Sequence, residues 1–477
     1  MKKTKILVTY GPAVSSTAKI KNLVEAGANA IRINCSHGST QDFLSAARLI
    51  RQSTKNYPYT VGLVFDISGP KLRLDHFKGE YRVKKGQTVV ILDRKTDLKS
   101  GKIGVNRPEI LKSVKKGHRL YIDDGNLVFT VVSTSNHGVV IKSVNGGVIM
   151  PSKGVNLPDS DIKIPTISDK DREDIKTAIR VDADYIALSF VRNAADIVEA
   201  KNLIKNFGGR QRVIAKLERK EAIDQIEEII SQADGVMLAR GDLGVELEPQ
   251  ELPPIQKKII KLANQSRKPV IIATQMLESM RFAPRATRAE INDVASAVFD
   301  FADVVMLSAE TATGQYPVEA VKTMDAVIRA TESALPEFDP VRLGKIDKSD
   351  IPEAIARAVR EAYPACQTPV IFAFTSSGFT AELISNLFPP QPVIALTPDK
   401  KVMGLMSLYR SVYPVLVNPS KTFQEMLDEV EKIIKEYKLA RKGQRVTITG
   451  GVPLGTRQPT NFMMIHEVST QHVRKKN

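Results

Sequence analysis

The feature that leaves this chain fewest choices is a recurrence. Short apolar runs close abruptly on polar or charged residues, and each is followed by a segment whose apolar positions have helical spacing. Runs of this kind read as strands buried on both faces, the pattern of a parallel sheet with crossover helices. It is clearest from Val213 to Asp242. There Arg212-Val-Ile-Ala215 ends in Lys216-Leu-Glu218, Gly235-Val-Met-Leu-Ala239 ends in Arg240-Gly-Asp242, and Ile223, Ile226, Ile229 and Ile230 between them predict one crossover helix. Alternation along a strand sets Lys216 and Glu218 on one side with Leu217 opposite, and puts Asp242 at the end of the neighbouring strand. An ammonium and two carboxylates then converge. Two acids from adjacent strands make an oxygen site for Mg2+ or Mn2+, and a lysine beside them faces an anionic ligand of that metal. The competing reading of a single Lys-x-Glu is a solvated rim of salt bridges, so the remaining strand ends must decide.

In chain order, Lys5 to Tyr10 is the first strand, with Ser15 or Ser16 placed to cap a helix carrying Ile20, Leu23 and Val24. Ala30 to Asn34 and Val61 to Phe65 follow. From about Leu74 to Ile164 no long helical period is found, only short Val/Ile runs broken by Asp124-Gly125, His137-Gly138 and Gly146-Gly147, which predicts an inserted all-β domain. After Ser168-Asp-Lys-Asp171, a helix start, strands are expected at Tyr185 to Phe190, Val213 to Leu217, Val236 to Ala239, Val270 to Ala273 and Val304 to Leu307. Eight βα units outside one insertion is the count of a closed (β/α)8 TIM barrel, whose site lies at the strand C-terminal ends. Those ends are polar here: Arg32 with Asn34, Asp66, Ser189, Lys216 with Glu218, Asp242, Thr274-Gln275, and Ser308 with Glu310. An open doubly wound sheet of the same elements is the alternative.

Beyond a Pro/Asp/Lys-rich linker at Pro336 to Ser349, a third region alternates again and predicts a small α/β domain. Its distinctive stretch is Thr375-Ser-Ser-Gly-Phe-Thr380, hydroxyl-rich and set between a strand and a helix, where backbone N–H groups and hydroxyls suit a phosphate. Simple capping of that helix is the competing account. The expected division is a barrel domain at 1–73 and 165–338, the β-rich insertion at 74–164 and the C-terminal α/β domain at 339–477.

Composition narrows the function. The formal charge is +16, but the basic residues are dispersed, with only Arg474-Lys-Lys476 as a cluster, which favours small anions over nucleic acid. Cys35 and Cys366 have no metal-ligand or disulfide spacing, which points to a reducing, cytoplasmic compartment. Tyr10-Gly-Pro12 breaks the apolar start too early for a signal peptide, and no run is long enough to span a membrane.

The ordered series Ile31-Arg-Ile-Asn-Cys-Ser-His-Gly38, Ala215-Lys-Leu-Glu218, Met237-Leu-Ala-Arg-Gly-Asp-Leu-Gly244, Ala273-Thr-Gln-Met-Leu-Glu-Ser279, Thr287-Arg-Ala-Glu290 and Met306-Leu-Ser-Ala-Glu-Thr311 resembles the pyruvate kinase family across essentially the whole chain. The resemblance implies a barrel, a mobile β-rich insertion, a C-terminal regulatory domain and a homotetramer that transfers the phosphoryl group of phosphoenolpyruvate to ADP, giving ATP. It implies that Glu218 and Asp242 ligate Mg2+ or Mn2+, and that Lys216 stabilises the phosphoryl group in flight. Gly241 and Asp242 open a helix whose N–H groups hold the substrate carboxylate with Thr274. Arg32, Asn34 and Arg73 are expected to meet the transferring and nucleotide phosphates, Lys170 to meet ADP, and His37 to sit in the nucleotide pocket. Thr274, with Ser308 and water, relays a proton to the enolate.

One departure carries an expectation. Where many family members read Asp-Thr-Lys-Gly-Pro-Glu-Ile-Arg-Thr and need K+, this chain has Asp66-Ile-Ser-Gly-Pro-Lys-Leu-Arg-Leu74. The ammonium of Lys71 then supplies the charge of K+, with Asp66 and Asn34 as partners, so K+ is not required. Smaller departures are Arg219 for asparagine, Ala286 for proline and Ala309 for glycine. In the C-terminal region the resemblance makes Thr375, Ser376, Ser377, Gly378 and Thr380 the phosphate loop of an effector site, with Gly450 to Arg457 as its second loop, and implies activation by a sugar phosphate or AMP. Two other readings are an aldolase or phosphotransferase on a similar barrel, and a non-catalytic regulator that binds nucleic acid. The inserted β-domain and Arg73 speak for a nucleotide against the first; intact Lys216, Glu218 and Asp242 speak against the second.

Overall fold

The computed structural model describes residues 1–93, 95–135, 137–160, 165–336, 350–453 and 458–469. Nearly all of the expected linker, the Arg474–Lys476 cluster and the end of the second C-terminal loop lie outside the described residues.

Eight parallel strands close into a barrel: Lys5–Thr9, Ala30–Asn34, Gly62–Ile67, Tyr185–Leu188, Arg212–Leu217, Gly235–Ala239, Val270–Ala273 and Val304–Leu307, called strands 1 to 8 below. Strand 1 pairs with both strand 2 and strand 8, which abolishes the sheet edges and excludes the open doubly wound alternative. The strands are buried on both faces, and alternation sorts their side chains. Leu7, Val64, Tyr185, Ile214, Met237, Ile271 and Met306 fill the inside, while Ile6, Val8, Leu63, Ile186, Val213, Leu238 and Val305 pack against the outer helices. Because Ile214 points inward, so does Lys216 two residues on. Helix starts follow local chemistry: Ser16 caps Thr17–Glu25, and Ser168 and Asp171 form a reciprocal capping box on Asp169–Arg180.

Three local expectations need correction. Strand 4 ends at Leu188 rather than Phe190, because Phe190 takes φ 57°, which breaks the extended ladder. The crossover between strands 5 and 6 is two short helices, Lys220–Asp224 and Ile226–Gln232, interrupted at Gln225. Asp242 does not end strand 6, as strand alternation suggested; it lies in the first turn of helix Arg240–Glu246, just beyond that strand, which is the helix start that the resemblance implied.

The insertion forms a six-stranded sheet and a two-stranded one around their own apolar core, with only 3-10 turns besides among the described residues. The C-terminal region is a five-stranded sheet ordered Val412–Leu416, Val393–Thr397, Ile371–Phe374, Arg445–Gly450 and Phe462–Glu467, with separate cores on its two faces. Helix Lys400–Met406 and the antiparallel edge strand Phe462–Glu467 were not expected. That edge strand is half-buried from Phe462 to His466 and exposed at Glu467, so it lacks the apolar alternation that announces a strand. This region seals the N-terminal end of the barrel: Leu405 and Leu408 join the inner apolar cluster, and the Tyr185 hydroxyl donates to the Leu405 carbonyl at 2.6 Å. Among the described residues no helix is long and apolar enough to cross a membrane.

Candidate active site

At the C-terminal mouth three strands deliver charge to one place. Arg32, inward-facing at the middle of strand 2 in register with Val64, sends Nε to Asp66 Oδ2 at 2.6 Å and Nη1 to Thr9 Oγ1 at 3.1 Å. Asp66 on strand 3 holds Lys216 Nζ at 3.0 Å with its other oxygen. Lys216 also lies 2.8 Å from Glu218 Oε1 and donates to Ser189 Oγ at 2.7 Å. Glu218 Oε2 accepts the Phe190 backbone N–H at 2.9 Å. Lys216 is 8% exposed and Glu218 2%, so the solvated-rim reading fails.

Two cations and two anions thus form a neutral buried quartet, but its members are not equally satisfied. Burial works against the Lys216 charge, yet Asp66 and Glu218 outweigh it and hold the ammonium pKa above that of ordinary lysine. Burial likewise opposes the Asp66 anion, and Arg32 with Lys216 win, lowering its pKa. Glu218 goes the other way. Burial raises its pKa, and the carboxylates of Asp242 and Asp66 add to that against Lys216. A buried carboxylate left short of positive charge beside a second carboxylate is the electrostatic condition a divalent cation relieves.

Asp242 is only partly buried, and its Oδ1 pairs with Lys71 Nζ at 2.8 Å. Lys71 therefore reaches the mouth but not the partners expected for it: Asp66 is bound by Arg32 and Lys216, and Asn34 Oδ1 accepts the Ser36 N–H at 3.2 Å. Among the described residues no group of three or more His, Cys, Asp and Glu is arranged to hold a metal. As two oxygen donors, the Glu218 and Asp242 carboxylates suit a hard cation that takes its other oxygens from water and substrate.

Thr274 sits beside this pair. It takes φ 66° and Gln275 takes φ 55°, an outlying backbone for a β-branched residue. Arg240 over-determines that turn, donating to the Thr274 carbonyl at 2.9 Å and the Gln275 carbonyl at 3.1 Å while its Nη1 reaches Asp293 at 2.7 Å. Thr274 Oγ1 in turn accepts the Gly241 N–H at 2.8 Å. The Ser308 hydroxyl is buried and has no hydrogen-bond partner among the described residues. The sequence reading gave Arg240 and Ser189 no role. Their partners come from other elements of the chain, strands, turns and a helix, and no local signal announces them.

A basic cluster lies on the other side of Arg32. His37 has its pKa lowered by burial and then by the charges of Arg73, Lys71, Arg32 and Lys170. Lys170 Nζ is fixed by the Cys35 carbonyl at 2.7 Å and Asp174 at 2.6 Å, and Arg73 Nη1 donates to the Ser152 carbonyl at 3.2 Å, at the root of the inserted sheet. In the C-terminal region, Thr375, Ser376, Ser377 and Thr380 line a cavity of about 580 Å3, whose opposite wall includes Asn418, Ser420 and Gln458. Thr375 Oγ1 accepts the N–H of Gly378, which takes φ 93°, and Thr380 bonds Thr460 at 2.8 Å. The N-cap residue of helix Phe379–Ser385 is Gly378, which has no side chain; Ser377 Oγ accepts the Phe379 N–H at 3.4 Å, so Thr375 and Ser377 both serve the helix start.

Comparison with known proteins agrees with this geometry. The family model for "Pyruvate kinase, barrel domain" matches residues 1–321, and that for "Pyruvate kinase, alpha/beta domain" matches residues 353–466. A pyruvate kinase of Thermotoga maritima is 38% identical over 469 residues, covering 98% of this chain and 100% of the relative. One of Geobacillus stearothermophilus is 40% identical over 473 residues, covering 98% of this chain and 81% of the relative. One of Agrobacterium vitis is 37% identical over 474 residues, with 98% and 97% covered.

Proposed function

Because the chain belongs to the pyruvate kinase family and is a phosphotransferase, we propose that it moves the phosphoryl group of phosphoenolpyruvate to ADP at the mouth of its barrel. The observation that carries the reading is the Lys216 ammonium, buried yet held charged by Asp66 and Glu218. Glu218 and Asp242 would hold Mg2+ or Mn2+, which when bound supplies Lewis-acid charge to the substrate carboxylate and enolate oxygen. Lys216 and Arg32 stabilise the phosphoryl group between donor and acceptor oxygens, a task of positioning and charge. The N–H of Asp242 orients the substrate carboxylate with Thr274, and the Gly241 N–H joins it on leaving the Thr274 hydroxyl that it meets at 2.8 Å. Asn34, His37, Arg73 and Lys170 hold the nucleotide phosphates. A threonine hydroxyl is a poor acid, so Thr274, with Ser308 and water, relays the proton that reaches the enolate carbon.

The ammonium of Lys71, placed at the mouth on Asp242, supplies a fixed monovalent charge, and turnover does not require K+. Assays in Na+ or tetramethylammonium buffers test this: equal rates are expected, and a large, specific K+ activation would refute it. The hydroxyl-lined cavity takes the phosphate of an activating metabolite, and titration of sugar phosphates and AMP against phosphoenolpyruvate saturation tests that. By family likeness the enzyme works as a cytoplasmic homotetramer. The primary experiment is steady-state kinetics with phosphoenolpyruvate, ADP and Mg2+. ADP-dependent pyruvate release that collapses in Lys216→Met is expected; an unchanged turnover number would overturn the assignment.

A further inference from the structure

The two carboxylates read as metal ligands belong to different elements. Glu218 follows strand 5, whereas Asp242 lies in helix Arg240–Glu246. On that helix Glu246 stands four residues beyond Asp242, hence on the same face. Glu246 is buried, and its Oε2 accepts the backbone N–H of Lys220 at 3.1 Å. Lys220 opens the helix Lys220–Asp224, and the residue at its cap position is Arg219, which has no acceptor to offer. The cap therefore comes from the other helix. Arg219, equally buried, forks onto Glu221 at 3.1 and 3.2 Å while its Nη2 lies 3.9 Å from Glu246 Oε1. Beside the pair is a cavity of about 40 Å3, bounded by Lys71, Phe190 and the inserted sheet's Val155. It has space for a water molecule or two rather than for bulk solvent.

The tie has a physical task. Glu218 and Asp242 each pair with an ammonium, Lys216 and Lys71, yet the two carboxylates still act unfavourably on one another, so their separation has to be held by the elements that carry them. Residues 219 and 220, directly after Glu218, are anchored to the residue one turn beyond Asp242. We propose that Arg219 and Glu246 are positioning residues that fix the separation of Glu218 and Asp242, so that the divalent-cation site is preformed. The proposal rests on the reading of those two carboxylates as metal ligands.

Mn2+ titration of the full-length protein without substrates, followed by electron paramagnetic resonance, tests it. Glu246→Ala is expected to weaken Mn2+ binding about tenfold, the usual scale for a group that orients a ligand. Glu246→Gln, which keeps an acceptor for the Lys220 N–H, is expected to lose less, and Arg219→Lys to fall between. Turnover at saturating Mn2+ should recover toward wild type, because the ligands themselves remain. A drop in Tm with Mn2+ affinity within twofold of wild type would assign the pair to stability alone and overturn the proposal. If Glu246→Ala does not fold, Arg219→Lys decides by the same criterion. Glu218→Gln separates the two levels: if it leaves Mn2+ binding unchanged, the metal assignment falls and the latch with it. If it weakens binding while the Glu246 variants do not, only the latch falls.

Discussion

Each end of the barrel buries a lysine, and the surroundings drive the two in opposite directions. At the mouth, Lys216 lies within 3.0 Å of Asp66 and 2.8 Å of Glu218, and these outweigh burial to keep it charged. At the sealed end, Lys5 on strand 1 is fully buried with its Nζ 3.6 Å from the centre of the Tyr413 ring. There burial, joined by Lys2 and Arg410, takes its pKa well below the ordinary lysine value, and Glu332 offsets this only in part. Depth alone therefore does not decide whether a buried lysine carries charge; the carboxylates aimed at it do. One end is built to keep charge for a polyanionic substrate, the other to be plugged by Leu405 and Leu408.

The sharpest way to break this comparison is to remove each ammonium. Lys216→Met should lower kcat by roughly a thousandfold or more, with substrate binding less affected, because the lost interaction forms chiefly in the transition state. If KM rose while kcat held, the mouth would be a binding site without a catalytic charge.

How much of this was legible in the sequence follows from range of interaction. The barrel was, because strands buried on both faces write their burial into consecutive residues. Lys216 and Glu218 were, because strand alternation is a local rule. Asp242 was displaced by a helical turn, since Arg240-Gly-Asp242 reads equally as a strand end or a helix start. The partners of Lys71, Arg240, Ser189 and Glu246 were not legible, because each bond crosses between elements. Nothing near Met1 signalled that Lys5 is buried, for the residues that cover it come from about 400 positions later.

The sealed end should also show itself in pH dependence. Asp303, buried there, accepts the Val270 N–H at 3.0 Å and the Arg410 N–H at 3.3 Å, yet burial still raises its pKa to about 6. An acid raised in the fold binds more protons folded than unfolded between its ordinary value of 3.8 and about 6. Stability from this group is therefore greatest below that window and declines as pH climbs through it. The decline is on the order of 3 kcal/mol at most. Denaturation of wild type and Asp303→Asn from pH 4 to 7 should show the slope flatten in the variant, whatever its starting stability. A slope unchanged by the substitution would mean that Asp303 ionises in the fold as it does in the unfolded chain.

The smallest effect should come from Lys5→Met. Methionine has nearly the length and volume of the lysine stem, so packing against Tyr413 is retained while a poorly compensated amine is removed from the interior. Stability at neutral pH should rise by about 1 kcal/mol, with kcat and KM within twofold of wild type. The pH profile supplies the independent sign. A lysine lowered in the fold binds fewer protons folded than unfolded, so its part of the stability grows as pH rises from the folded value toward 10.5. Lys2, lowered to about 8 by burial against the pull of Asp325, adds a rise of the same sign. In Lys5→Met the Lys2 portion should persist and the rest of the rise disappear. If the variant were instead destabilised, with turnover reduced tenfold, Lys5 would be a charge used by the fold, and the two ends of the barrel would differ in their ligands but not in their electrostatics.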